Sequence, residues 1–243
     1  MPTLIAAIRS LLTYVGVSLY VVLMGPPFLV IALATGRPHL LYRVGSGGVR
    51  LGLWLSGITV DIRHPENILR DRAAVYAVNH ASNVEPPVLF IALSGLFPRL
   101  RILYKAELRK LPILVRAFDI AGFIPLERGN RDQSLPAIER AADALRDGNS
   151  FLIFPEGTRS RTGQLLPFKK GGFIMALKAH APIVPVAIQG ARDAMKKGSL
   201  VIRPVRVTVT FGSPIDTEAM TLEDRDTLIA RTRTAVAAQL FEA

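Results

Sequence analysis

From Leu11 to Ala34 the chain runs 24 residues without a charged side chain. As one continuous helix this run would reach roughly 36 Å, against ~30 Å for the hydrocarbon core of a bilayer. Pro26 and Pro27 stand just past its middle, and each removes a backbone donor and strains the turn before it, which predicts a kink or a break there. Two pictures follow: a spanning helix, and a re-entrant or tilted hairpin that only dips into one leaflet. Arg9 precedes the run while Arg37 and Arg43 follow it. Basic residues on both sides give no clear orientation, and the balance leans toward both ends staying on one face. A cleaved signal peptide needs a shorter apolar region and a small-residue cleavage site, whereas this run leads into more hydrophobic sequence. That second stretch, Val44 to Val60, carries Arg50, several glycines and Trp54 as an interfacial anchor, and it reads as an amphipathic partner helix. Residues 1–57 are therefore expected to form a membrane-associated two-helix segment, with a catalytic domain in 58–243.

Composition narrows the choice of partners. With 243 residues, 50% of them apolar, the chain can bury a full core in one domain and still spare a segment for another task. The formal charge of +11, from 30 Lys and Arg against 19 Asp and Glu, favours anionic partners. A mean hydropathy of +0.33 favours anionic membrane lipids over nucleic acid, because a soluble nucleic-acid binder has little reason to be hydrophobic on average. The absence of cysteine excludes a disulfide framework, a thiolate zinc site and a cysteine nucleophile.

Beyond about Gly57 short β-branched runs alternate with helical stretches, the pattern of an α/β sheet covered by helices. Ile58 to Arg63, Ala74 to Val78, Phe151 to Phe154 and Val184 to Ile188 read as strands. Val205 to Phe211 alternates cleanly between Val205, Val207, Val209 and Phe211 on one face and Arg206, Thr208 and Thr210 on the other, so that strand is half exposed. The sheet is thus expected to be mixed, mostly parallel and flanked by helices, with the N-terminal hairpin as anchor. Ser134 to Arg146 has helical spacing, with Ser134 as cap and Gly148 just past the end; Gly171 to Ala181 and Leu222 to Leu240 read as further helices. No repeat or long Gly/Ser linker appears, so anchor and sheet should pack as one body.

Chemistry concentrates in Asn79-His80-Ala81-Ser82-Asn83-Val84-Glu85-Pro86, a histidine at a strand end with a carboxylate five residues on. That spacing does not share a helix face, but a turn between the two lets them meet. Pro86 at a first helical position, with the residue before it pushed toward extended geometry, supplies the break. Glu85 at a helix start would be favoured in its ionised form. A carboxylate on one imidazole nitrogen fixes the tautomer and leaves the other free to take a proton from a hydroxyl. Downstream, Phe154-Pro155-Glu156-Gly157-Thr158-Arg159-Ser160 puts a glycine, a hydroxyl and a guanidinium after an apolar strand, where ligands of α/β folds tend to bind. An arginine grips phosphate bidentately, and a glycine lets backbone approach a ligand.

Together these segments carry a resemblance. Asn79-His80 with Glu85, Gly122-Phe123-Ile124-Pro125-Leu126-Glu127-Arg128, Phe154 to Ser160, and Val184-Pro185-Val186-Ala187-Ile188 stand in the order of the motif blocks of the glycerolipid acyltransferase family. The resemblance covers about residues 58–215 and is strongest to bacterial 1-acylglycerol-3-phosphate acyltransferases, which make phosphatidic acid. It implies that His80 is the general base, that Glu85 supports it, and that no covalent acyl-enzyme forms. It further implies that Lys105, Arg128, Glu156, Gly157, Thr158 and Arg159 resemble the residues that hold the glycerol phosphate. Acyl-CoA or acyl-carrier protein would be the donor substrate, with no cofactor, and the enzyme would sit on the cytoplasmic face of the bacterial inner membrane. Another lysolipid or glycerol 3-phosphate is the alternative acceptor. The chain departs from the family in having Glu85 where aspartate is usual, so the extra methylene must be absorbed or the contact to His80 loosened. His39, His64 and His180 lack companions for a metal site. A serine hydrolase is disfavoured because no Gly-x-Ser-x-Gly elbow is present, and a noncatalytic basic module would leave His80 and Glu85 without a purpose.

Overall fold

The structure, a computed structural model, describes residues 2–37, 39–110, 112–127 and 131–241. Helix α1 (Pro2–Thr35) runs unbroken through Pro26 and Pro27. The break expected there is absent. A proline's own φ is helical, and its cost is the bond to the carbonyl four residues back, here Val22 and Leu23. Beyond the prolines Phe28 and Leu29 are half-buried and Ala32 is buried, so packing bridges the weak point. Among the described residues α1 is the one helix long and apolar enough to cross a membrane, over Leu4–Thr35.

Helix α2 (His39–Ser56) returns antiparallel along α1: Tyr20 donates its hydroxyl to the Val44 carbonyl at 2.9 Å, while Gly16 lies against Leu55. A Cβ on Gly16 would come within 2.8 Å of the Leu55 side chain, so the close approach of the two helices depends on that glycine. Gly57, at φ +74°, stops α2 at Ser56, four residues earlier than the apolar stretch to Val60 suggested, and Thr59 already begins a strand. The inward seam of α1 also reaches the catalytic body. Ser10 is buried, accepts the Ile202 amide at 2.7 Å and donates to Ala6 O at 2.6 Å; Tyr14 donates to the Leu200 carbonyl at 2.9 Å.

The remaining elements are β1 (Thr59–Arg63), β2 (Val75–Val78), α3 (Glu85–Ala92), β3 (Leu100–Lys105), α4 (Pro112–Ile120), β4 (Ile124–Leu126), α5 (Arg131–Arg146), β5 (Ser150–Ile153), α6 (Gly171–Lys178), β6 (Ile183–Gln189), α7 (Ala191–Ala194), β7 (Arg206–Phe211) and α8 (Arg225–Phe241). They build a seven-stranded sheet in the order β1-β7-β6-β2-β5-β3-β4, in which only the β6–β7 pair is antiparallel. The sheet is mixed and mostly parallel, flanked by helices. Tyr76 and Val78 of β2 join the core layer that contains Val88 and Leu89 of α3. Val75 and Ala77 turn the other way, into the layer of α5, α6 and α8 with Ile138, Phe173 and Leu228. A strand covered on both faces reads as continuously apolar, which is why β2, β5 and most of β6 are buried throughout.

Strands β3 and β4 and helix α4 arise in the basic stretch after Arg99, where charge masks periodicity. Helix α5 extends back to Arg131, so Ser134 stands inside its first turns and is not the cap. Gly148, at φ +86°, closes α5 as expected, with the Gly148 amide on Leu145 O and the Asn149 amide on Ala144 O, both at 3.0 Å.

Removing the Ser10 hydroxyl leaves the Ile202 amide buried without an acceptor. Ser10→Ala is expected to lower unfolding free energy by about 1–3 kcal/mol, measured by denaturant titration in detergent micelles.

Candidate active site

Strand β2 ends at Val78, paired with Val186. The next side chain, Asn79, is buried and mimics one further ladder step: its Nδ2 donates to Ile188 O at 3.0 Å and its Oδ1 accepts the Ile188 amide at 2.8 Å. The strand end is thereby held while its backbone turns away. His80 follows, and its main chain is gripped from both sides. Its amide donates to Glu156 Oε1 at 2.7 Å and its carbonyl accepts the Ser160 amide at 2.7 Å.

The imidazole is positioned as firmly. His80 Nδ1 lies 2.5 Å from Glu85 Oε2, and the ring stacks on Phe154 with centroids 4.1 Å apart. Glu85 is completely buried and also accepts the Ala81 amide at 2.8 Å and the Ser82 amide at 2.9 Å. Ser82 braces the turn by donating its hydroxyl to Met195 O at 2.8 Å and accepting the Val84 amide at 3.2 Å. The reversal is made by residues 81–84 wrapped around the carboxylate. It does not come from an extended residue before Pro86, since Glu85 is itself the first helical residue and Val84 is already helical in backbone. The longer side chain loosens nothing.

Burial pushes the Glu85 carboxyl above its ordinary range, opposed by His80 and the amides of Ala81 and Ser82. The helix start was expected to favour the ionised form, but desolvation outweighs it here. With Nδ1–H donating to the carboxylate, Nε2 carries the free lone pair. Nε2 has no partner among the described residues, and the side chain keeps 17% of its exposure. A base with one nitrogen anchored and the other open can deprotonate an incoming hydroxyl.

Strands β2, β5 and β3 run parallel, so their C-terminal ends share one sheet edge. That edge brings His80, the Phe154–Ser160 segment and Lys105 to one side of the molecule. Glu156, expected among the substrate ligands, is buried and turned inward. Its Oε1 takes the His80 amide and its Oε2 the Leu166 amide at 3.0 Å, so it positions the histidine backbone instead. Burial raises its pKa as well, against those two amides and the nearby His80. Gly157 adopts φ +69°, and a Cβ there would lie 2.7 Å from the Lys169 side chain. Thr158 is exposed, and the Arg159 guanidinium is half-exposed with no acceptor among the described residues. Lys105 is half-exposed and paired with Glu107 at 2.8 Å. Arg128 lies outside the described residues. Two cations that sequence reasoning passed over also belong here. Lys169 covers Gly157, and Lys197 donates to Arg159 O at 2.8 Å and Thr158 Oγ1 at 3.3 Å. Each lies in a Lys-Lys pair, which by itself reads as solvated charge.

Residues 59–189, which contain both His80 and the Phe154–Ser160 segment, match the family model described as Acyltransferase. The chain belongs to the acyltransferase family. It is similar to a 1-acyl-sn-glycerol-3-phosphate acyltransferase of Limnanthes douglasii, 35% identical over 89% of this chain and 73% of that one. A bacterial relative of the same name from Borreliella burgdorferi is 27% identical over 79% of this chain and 76% of its own length. The crystal structure of the 1-acyl-sn-glycerophosphate acyltransferase of Thermotoga maritima has the same fold, with a TM-score of 0.82 over the whole of both chains at 24% identity.

His80→Ala keeps the backbone clamps and should stay folded while losing acyl transfer by about 100- to 10,000-fold, read as initial rate beside a thermal melt. Glu85→Gln cannot hold an imidazolium and should lose activity on the same scale. In the native enzyme, protonating Glu85 should cut kcat/KM on the acid side. Its raised pKa places that limb above the ordinary glutamate range, with an apparent value that belongs to the coupled pair. A pH–rate profile of native and Glu85→Gln enzyme checks this.

Proposed function

We propose that the chain is a 1-acyl-sn-glycerol-3-phosphate O-acyltransferase, moving a fatty acyl group from acyl-CoA or acyl-carrier protein to the sn-2 hydroxyl of lysophosphatidic acid. The observation that carries this reading is the open Nε2 of His80, anchored through Nδ1 to Glu85, on the sheet edge that also presents the uncommitted Arg159 guanidinium. Arg159 binds the acceptor phosphate, with Lys105 and Arg128 as further cations. His80 Nε2 takes the hydroxyl proton as the oxygen attacks the thioester carbonyl. The tetrahedral intermediate collapses, the C–S bond breaks, and the imidazolium returns the proton to the departing thiolate. Glu85 stabilises the imidazolium between those two steps. Acyl passes directly from sulfur to oxygen, and no cofactor takes part.

The hairpin sets where this happens. Tyr42 of α2 stacks on Phe97 at 4.4 Å, Gly45 lies against Phe90 of α3, and Leu53 near the other end of α2 packs on the core layer of Val88 and Leu89, so the catalytic body accompanies α2 along its length. A bilayer-crossing α1 would drag that body into hydrocarbon. The exposed outer face of α1, with Leu12, Leu19, Val22, Leu23 and Leu33, suits burial in one leaflet instead. We place the enzyme on the cytoplasmic face of the bacterial inner membrane, where both anionic donors are available.

Purified protein incubated with lysophosphatidic acid and labelled acyl-CoA should yield labelled phosphatidic acid, with glycerol 3-phosphate and lysophosphatidylcholine as poorer acceptors. Equal or better use of either one would reassign the acceptor. Arg159→Glu should depress use of the phosphorylated acceptor far more than thioester hydrolysis, and unchanged acceptor dependence would remove Arg159 from the site. The chain has no cysteine, so single cysteines at Arg37 and Asp193 report topology directly. An impermeant maleimide should reach both from the cytoplasmic side, whereas labelling of position 37 from the other side would mean that α1 spans.

A further inference from the structure

One peptide unit connects His80 to a lysine that lies outside the family match of residues 59–189. The Arg159–Ser160 bond is trans, so its carbonyl and its amide point in opposite directions. The amide donates to His80 O at 2.7 Å, and the carbonyl accepts from Lys197 Nζ at 2.8 Å. The ammonium thus heads an unbroken chain of hydrogen bonds, in which its charge polarises the peptide and strengthens the bond to the histidine carbonyl. On the other side of His80, the amide donates to Glu156 Oε1 at 2.7 Å. The backbone of the histidine is therefore gripped by an acid at its amide and, through one peptide, by a cation at its carbonyl.

The same ammonium donates to Thr158 Oγ1 at 3.3 Å, so it fixes both residues of the arch between Gly157 and Ser160. Lys197 is half-buried, and among the described residues it pairs with no carboxylate, so its charge falls on these loop oxygens. Its own segment is firmly mounted. The Ser199 amide closes a turn on Lys196 O at 2.9 Å, Met195 O takes the Ser82 hydroxyl at 2.8 Å, and Leu200 O takes the Tyr14 hydroxyl at 2.9 Å. We infer that Lys197 is a positioning residue for acyl transfer. It holds the His80 main chain and the start of the Arg159 side chain in one fixed relation, so that base and phosphate ligand meet the same acceptor molecule. The inference rests on the roles proposed above for His80 and Arg159 and adds the group that keeps them in register.

Kinetics of the purified protein with lysophosphatidic acid and acyl-CoA, beside acyl-CoA hydrolysis without acceptor, test this. Water activated by His80 needs the base and no phosphate ligand, so the His80-dependent rate of hydrolysis, native minus His80→Ala, reports the base alone. Lys197→Met keeps the length and apolar stem of the side chain, and a thermal melt checks its fold. It should lower kcat for transfer and the His80-dependent hydrolysis together, by about 10- to 100-fold, and its Ser160 amide should exchange faster with deuterium. Lys197→Arg keeps a charged donor and should recover most of both rates. Lys196→Met removes the same charge from the exposed neighbouring position and should match the native protein. A Lys197→Met that raises KM for lysophosphatidic acid but spares kcat and hydrolysis would make the lysine a phosphate ligand and overturn the inference. Equal losses in Lys196→Met, or no recovery in Lys197→Arg, would overturn it too. Where Lys197→Met melts early, native kcat in a folded Lys197→Gln does the same. Native rates in His80→Ala would instead overturn the reading of the site, and the inference with it.

Discussion

A carboxylate sealed from water must be surrounded by donors or it will not stay charged, and the active-site corner is organised around that demand. Glu85 meets it with one imidazole nitrogen and the amides of Ala81 and Ser82. Those contacts force the chain to double back within a few residues, start α3 and aim the His80 ring. A second buried acid, Glu156, takes the amides of His80 and Leu166. The histidine is therefore held twice, by its ring through Glu85 and by its backbone through Glu156. Two costly burials converge on His80, the proposed base, whose Nε2 they leave open.

Both acids depend on the parallel centre of the sheet. Because β2 and β5 point the same way, the loop after β2 and the loop after β5 emerge side by side, and the second can clamp the first. Asn79 adds a side-chain rung to β6, so the turn into His80 begins from a rigid strand. Rigid strands carrying variable loops are the usual foundation for a binding edge. The hairpin joins the same body through the Ser10–Ile202 contact and the Tyr42–Phe97 stack. The apolar helix and the sheet are thereby one packed body.

Much of this was legible beforehand where the signal was local. Strands β2, β5, β6 and β7 announced themselves by β-branched runs, and α8 and the end of α5 by period and a glycine. His80 and Glu85 were found because a histidine at a strand end beside an acid and a proline is an uncommon conjunction. Less legible were β3, β4 and α4, whose basic surroundings hide any apolar period, and the prolines of α1, where local strain gave way to packing by Phe28 and Ala32. Glu156 resembles a ligand because it stands in one motif block with Thr158 and Arg159, and Lys197 gives no signal along the chain because the loop it bonds lies 38 residues away.

Residue types and short spacings are written along the chain, so the sequence by itself determined the reactive pair, the apolar anchor, the basic character and the family. Which way a charge faces depends on donors supplied by distant strands. His80 and Glu156 are separated by 76 residues, and only folding the sheet decided that one acid supports the ring, the other grips the backbone, and the Arg159 guanidinium has no acceptor among the described residues.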